Sequence, residues 1–243
     1  NQGDRTSIDL PADQLQLLKA AKATGKPLIV INMSGSAMNL EWAKQNASAI
    51  IQAWYPGEAG GIAVGKAVAG LANPAGRLPV TFYRDVSQLP PFEDFAMKGR
   101  TYRYFDGEPV YAFGYGLSYT SFAYGKVKVS GTAAKGMVVE TTITNTGKKA
   151  GDEVAQLYLD FPEAPGTPRI ALRGFERISL APGKTKKVRF KLNPRDLSSV
   201  SPEGQIRLLK GEYSAFVGGA QPGSGLPGSR SKFNVGKAMS LPN

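Results

Sequence analysis

The 243-residue chain has no cysteine and no histidine. The first absence excludes a disulfide framework, thiolate metal sites and a cysteine nucleophile. It leaves the cellular compartment open. The second removes the usual general base and the commonest ligand of catalytic zinc. Any chemistry must therefore run on carboxylates, Lys, Tyr or Ser, and neither a cofactor nor a metal is expected. No apolar run reaches the roughly 18 residues of a membrane-spanning helix, so no membrane partner is expected either. Acidic residues are in short supply: 19 Asp and Glu stand against 30 Lys and Arg, for a net charge of +11. Such an excess is the footprint of phosphate binding when it is concentrated. Here it is dispersed. The densest cluster, GKTKKVRFKL at 183–192, alternates charged with apolar residues, so Lys184, Lys186 and Arg189 do not share one face. The cluster reads as a solvated strand surface, with no nucleic-acid partner.

What is present is a globular composition, 42% hydrophobic and 20% charged, enough for one large domain or two ordinary ones. DLPADQLQLLKAAKATGKP at 9–27 predicts a helix. Asp9 and Pro11 supply its start, Leu15, Leu18 and Ala21 its apolar stripe, and Gly25 with Pro27 its stop. LIVIN (28–32) and AIIQAWY (49–55) are short continuous apolar runs, as in strands buried on both faces. A short helix is expected at 39–46 and a small-residue helix at 60–76, closed by Asn73-Pro74. RLPVTF (77–82) is expected as an edge strand, because Pro79 cannot donate a ladder hydrogen bond. Helices alternating with buried strands imply a parallel sheet covered on both sides. Three strands are too few for one, and the chain opens on a helix. The expectation is a partial α/β sandwich over 1–86, with its remaining strands upstream of Asn1.

In such sheets ligands bind beyond the carboxyl ends of the strands. Two loops qualify. MSGSAMN follows the first strand and offers Ser34 and Ser36; PGEAGG follows the second and offers Glu58. Ordinary turn chemistry explains the same residues. GEAGG could also cradle a phosphate at a helix start, but it lacks the Lys-Ser or Lys-Thr ending of a P-loop.

From Tyr124 onward the pattern changes to short alternating strands with turn signals about every ten residues. Roughly seven such strands over 124–243 predict an immunoglobulin-like, fibronectin type III β-sandwich, with no gathering of acids or hydroxyls within it. Between the two halves, at 87–123, lies GRTYRYFDGEPVYAFGYGLSYTSF (99–122), with five tyrosines and three phenylalanines in no clean helical or strand period. An aromatic-rich segment of this kind lies flat on another surface.

WYPGEAGGIAVGKAVAGLANPAGRLPVTF, followed by GRTYRYFDGEPVYAFGYGLSYTSF, resembles the family 3 glycoside hydrolases, the β-glucosidase and β-xylosidase family. TNTGKKAGDEVAQLYL and LRGFERISLAPGKTKKVRFKL resemble that family's fibronectin type III-like domain. The resemblance covers nearly the whole chain and implies retaining hydrolysis by two carboxylates about 5 Å apart. It places the aspartate nucleophile on an N-terminal barrel and the general acid/base glutamate on a loop upstream of Asn1. GDRTSIDLPADQ then matches the end of that loop, with Asp4 and Arg5 supporting it. Ser34, Ser36 and Glu58 become substrate-binding candidates, and no catalytic residue lies in this chain. The aromatic segment becomes interdomain glue through Arg100, Tyr102, Arg103, Tyr104 and Phe113. The partners implied are the barrel segment of the same protein and a β-glucoside or oligosaccharide, and a homodimer is admitted. The implied activity is exo-acting β-glucosidase, inactive without the barrel. The alternatives are β-xylosidase and a non-catalytic carbohydrate-binding or scaffold protein. Family habit implies a periplasmic or secreted location.

Overall fold

A computed structural model describes residues 6–242, so Asp4 and Arg5 lie outside the described residues. The chain separates into two compact units. The first comprises residues 1–72, 80–101 and 105–112; the second comprises 73–79, 102–104 and 113–243.

In the first unit, helix α1 (Ala12–Ala23) ends where Gly25, at φ 73°, donates to Lys22 O. Glycine tolerates that left-handed geometry without a Cβ penalty. Asp9 does not cap the helix. Its carboxylate instead accepts from Asn39 Nδ2 at 2.8 Å. Strand β1 (Ile29–Asn32), helix α2 (Glu41–Asn46), strand β2 (Ala49–Gln52) and helix α3 (Gly60–Val68) follow. β1 and β2 pair in parallel, Ile29 opposite Ala49 through Asn32 opposite Gln52.

Four sequence expectations need correction. β2 stops at Gln52 rather than Tyr55, because Trp54 takes a left-handed φ of 56° that no strand continues. α3 stops at Val68, well before Asn73-Pro74, where Gly70 turns left-handed at φ 71°. RLPVTF forms no strand and keeps only the isolated bridge Phe82–Tyr111, since Pro79 interrupts any ladder. β1 is not buried on both faces: Val30 is buried, while Ile29 and Ile31 are 46% and 42% exposed. The core of this unit is small and gathers Met38, Leu40, Ala43, Phe82, Phe105 and Val110.

The second unit contains a β-sandwich. Helix α4 is a single turn (Thr101–Tyr104) that begins in the first unit and ends in the second. Strands β3 (Phe122–Tyr124), β4 (Lys128–Thr132), β5 (Gly136–Asn145), β6 (Gly151–Asp160), β7 (Ile170–Leu180) and β8 (Thr185–Leu192) follow in order. They are succeeded by β9 (Ser199–Val200), β10 (Ile206–Leu208), β11 (Gly211–Gly218), β12 (Gly228–Val235) and β13 (Met239–Ser240). One sheet runs β12-β11-β6-β7; in the other, β5 carries β3 and β4 on one edge and β8 on the opposite edge. Every pairing within these two sheets is antiparallel. The period-2 alternation is clean in β8, where Val188, Phe190 and Leu192 are buried and Lys187, Arg189 and Lys191 exposed. Val139, Ile143, Leu157, Leu159, Ile178, Tyr213 and Val217 make the core between the sheets.

β6 departs from alternation because it is covered on both sides. Ala155, Leu157 and Leu159 enter the core, while Gln156 and Tyr158, on the opposite face, are also buried. Gln156 Nε2 donates to the carbonyls of Gly114 (3.0 Å) and Gly219 (2.8 Å), and Tyr158 Oη donates to Gln156 Oε1 at 2.6 Å. Tyr102 stacks on Phe113 with centroids 4.1 Å apart, and both rings meet Tyr158 edge-on. Tyr102 Oη accepts from Leu172 N, and Arg103 O from Arg169 N. Beside them Arg77 and Glu153 form a buried ion pair at 2.6 Å, with side chains 9% and 6% exposed. Arg77 Nε also donates to Gly219 O. Burial pushes the Glu153 carboxyl up, and the Arg77 guanidinium pulls it back. Burial, together with the Glu153 charge, likewise pushes the Tyr124 hydroxyl up. Asn145 is fully buried and fully satisfied: Nδ2 donates to Lys149 O and Leu180 O, and Oδ1 accepts from Thr120 Oγ1 and Gly147 N. That is the physical content of the TNTG motif.

Gly114 and Gly183 both have positive φ, 76° and 72°, but only at Gly114 would a Cβ run into neighbours, Gln156 Oε1 and Tyr158 Oη. Gly114→Ala should therefore cost about 2 kcal/mol or more beyond Gly183→Ala in urea unfolding, since it adds overpacking to the shared backbone strain. Equal losses would contradict the close approach.

Arg77→Met should cost about 3–5 kcal/mol, because it strands a buried carboxylate. Without the guanidinium, Glu153 binds its proton more tightly in the folded than in the unfolded chain. The variant should therefore be most stable below the ordinary carboxylate range and lose stability as pH rises through the raised value. Urea titrations from about pH 4 to 8 read this slope. An Arg77→Met/Glu153→Leu variant should recover most of the loss and flatten the slope.

Candidate functional site

The carboxyl ends of β1 and β2 lie side by side, because the parallel register sets Asn32 opposite Gln52. Asn32 Nδ2 donates to Gln52 Oε1 at 2.6 Å and to Ser34 Oγ at 3.0 Å. Ser34 Oγ donates in turn to Ser36 O at 2.8 Å. This chain of bonds fixes the MSGSAMN loop. Ser34 is half-buried and spent on holding the loop, whereas Ser36 is exposed. Gly35 lies against Tyr55: a Cβ there would sit 2.6 Å from the ring. A side chain at this position would displace the exposed Tyr55 ring.

The second loop leaves β2 through Trp54, whose left-handed backbone swings the chain away from the strand. Trp54 packs edge-on to Phe82 at 6.1 Å between centroids. Positive φ on a bulky non-glycine residue is strained, and such strain concentrates where side chains must be aimed. Tyr55 is 78% exposed. Gly57 then turns at φ 69°, with its carbonyl accepting from Gly60 N, and α3 starts. Glu58 stands exposed on that turn and makes no hydrogen bond or ion pair among the described residues.

Ser34, Ser36 and Glu58 all belong to the two loops at this sheet end. Asn32, Gln52, Trp54 and Tyr55 sit with them and were not singled out from the sequence. Asn32 and Gln52 close their strands as the only polar residues in two apolar runs, which is a readable signal. The role of Trp54 depends on a backbone angle that composition does not announce. Among the described residues, no group of three or more carboxylates stands ready to hold a metal ion.

The residues assigned to joining the units are placed as follows. Arg100 lies in the first unit and donates to the carbonyls of Ala96, Pro91 and Asp94, which fastens its own loop. Tyr102, Arg103, Tyr104 and Phe113 belong to the second unit.

Glycosyl hydrolase family 3 C-terminal domain is the family description that matches residues 1–119, and Fibronectin type III-like domain matches residues 153–221. A Xylan 1,4-beta-xylosidase of Xylanibacter ruminicola is 46% identical over 89% of this chain and 25% of its own length. A Periplasmic beta-glucosidase of Salmonella typhimurium is 37% identical over 88% of this chain and 30% of its own. The chain belongs to the family 3 glycoside hydrolases. Among solved structures, beta-glucosidase 3B from Thermotoga neapolitana in complex with alpha-D-glucose superposes with a TM-score of 0.86 at 30% identity, over 99% of this chain and 36% of that one. The chain thus spans a quarter to about a third of the length of these relatives.

Proposed function

We propose that this chain is the C-terminal portion of an exo-acting retaining β-glucosidase, hydrolysing terminal non-reducing β-D-glucosyl residues, and that the β1–β2 sheet end forms one wall of the pocket. The observation that carries the reading is the placement of Ser36, Tyr55 and Glu58 on the loops that follow two adjacent parallel strands, at the sheet end where α/β sheets bind ligands. The exposed apolar residues of the first unit, Leu17, Ile29, Ile31 and Ile62 among them, support a place within a longer polypeptide. The nucleophile and the general acid/base then come from the preceding portion, with Asp4 and Arg5 supporting the acid/base loop. Retaining hydrolysis needs only two carboxylates about 5 Å apart, with neither metal nor histidine. Here Glu58 and Ser36 are positioned to accept from and donate to sugar hydroxyls. Arg100, Tyr102, Arg103, Tyr104 and Phe113 belong to the segment through which the chain passes from one unit to the other at 101–113, which supports reading them as interdomain residues. A periplasmic or secreted location is supported by the Salmonella relative named as periplasmic. A β-xyloside is the competing substrate, favoured by the Xylanibacter relative.

The purified 243-residue chain should hydrolyse neither aryl β-glucoside nor aryl β-xyloside, and the polypeptide including its preceding portion should hydrolyse the glucoside faster. Turnover by the isolated chain after a contaminant control would overturn the division of labour.

In the longer polypeptide, Glu58→Ala should lower kcat/KM roughly 10- to 100-fold without shifting Tm, the size of one or two lost sugar hydrogen bonds. Wild-type kinetics would reduce the loop to an ordinary turn.

A further inference from the structure

The net positive charge of this protein comes from one unit. The second unit carries 21 Lys and Arg against 9 Asp and Glu, a net +12, whereas the first carries 9 against 10, a net −1. Within the second unit the outer face of the β4-β5-β8 sheet is the most ordered part of that excess. Antiparallel partners share a face, so the register puts Lys128, Glu140 and Arg189 in one row across three strands. Ser130, Val138 and Lys191 form the next row, and Thr142 with Lys187 lies on the other side. Lys187, Arg189 and Lys191 therefore recur along one face of β8 at about 6.6–6.8 Å. Glu140 is the one carboxylate among these outward positions. Lys187 Nζ lies 3.0 Å and Arg189 Nε 3.3 Å from its oxygens, and the bond from Lys187, with the surrounding cations, holds its carboxyl below the usual range. One anion for four cations leaves the face strongly positive.

We propose that this face binds a linear anionic glycan, a polysaccharide bearing uronic acids. Its cations engage the carboxylates, and the hydroxyls of Ser130, Thr142 and Thr185 meet sugar hydroxyls. The ionic complementarity stands on the geometry alone; the choice of a glycan rests on the glycosidase reading. No aromatic ring occupies the outward positions, since Phe190 points into the core, so the face offers nothing for bases to stack on. It also offers no helix to enter a duplex groove and no apolar wedge for a bilayer. For the same reason a neutral glycan finds no stacking platform here. The binding is ionic, salt-sensitive and independent of the β1–β2 sheet end.

The test uses the 243-residue chain and a fluorescein-labelled oligogalacturonate, followed by anisotropy at about 20 and 200 mM NaCl, a range over which the screening length falls from above to below about 10 Å. Binding should appear at low salt and weaken steeply at high salt. Arg189→Gln/Lys191→Gln should raise Kd about tenfold at low salt with an unchanged melting curve. Lys148→Gln/Lys149→Gln, which removes the same charge from the β5–β6 turn, should leave Kd within about twofold, because the turn lies past the Thr144–Thr185 end of the face and its cations make no direct contact with the bound glycan. Equal losses in the two variants would mean diffuse net charge and overturn the site. So would labelled xylo-oligosaccharide without uronic acids binding as tightly, or a single-stranded oligodeoxynucleotide of equal charge binding more tightly. Glycan binding by a chain whose longer polypeptide hydrolyses no glycoside would sink the glycosidase reading and leave this face intact.

Discussion

Strand β6 is buried on both faces, and much of the second unit is organised by that constraint. A central strand of a two-sheet sandwich normally alternates core with solvent. In β6 the solvent side is occupied by Gln156 and Tyr158, each too polar to be buried without partners. Their partners come from chain segments far away in sequence: the carbonyls of Gly114 and Gly219, and the stacked rings of Tyr102 and Phe113. The Arg77–Glu153 pair adds a second anchor on the same strand, buried deeply enough that neither charge is tolerable without the other. The family motif around GDEVAQLYL therefore encodes a strand with two interfaces, and the aromatic segment has the composition needed to cover one of them.

The two units differ in how completely they bury themselves. The sandwich closes a continuous core with long antiparallel ladders on both sides. The first unit pairs two four-residue strands, and α1 has no fully buried residue. Leu15, Leu18 and Ala21 form the half-buried stripe that helical periodicity requires, while Leu17 remains exposed. The loop that carries Phe92 and Phe95 is fastened internally by Arg100, yet both rings are almost wholly exposed. Small cores of this kind contribute little stability of their own, because burial scales with size.

Charge follows the same division. In the sandwich, Arg177–Asp152, Lys186–Glu176, Arg230–Asp160 and Lys232–Glu212 pair on the surface at 2.7–3.0 Å. Such exposed pairs contribute little each. Their main consequence is to use up the few carboxylates, so the remaining cations of β4 and β8 face solvent with one glutamate between them.

Local pattern was enough for much of this protein. Period-2 alternation from Tyr124 onward determined the sandwich strands, because each strand has one core face and one wet face and the sequence must repeat accordingly. Helical stripe and glycine stop determined α1, and the small and acidic residues after two apolar runs marked the Ser34, Ser36 and Glu58 loops. Other features are set by groups distant in sequence. RLPVTF has strand composition, but Pro79 breaks the ladder, and the segment instead bonds to residues 110–115. AIIQAWY ends early because Phe82 takes the edge of Trp54, whose backbone has turned left-handed. Gln156 looks like a solvent-facing strand residue until Gly114 arrives to cover it, whereas Glu153, in register with the core-facing Ala155 and Leu157, is a carboxylate admitted to the core side by its pairing with Arg77. Periodicity reports which side of an element faces the core of its own unit. It carries no information about a second surface that lands on the other side, and here only tertiary structure decided where that happened.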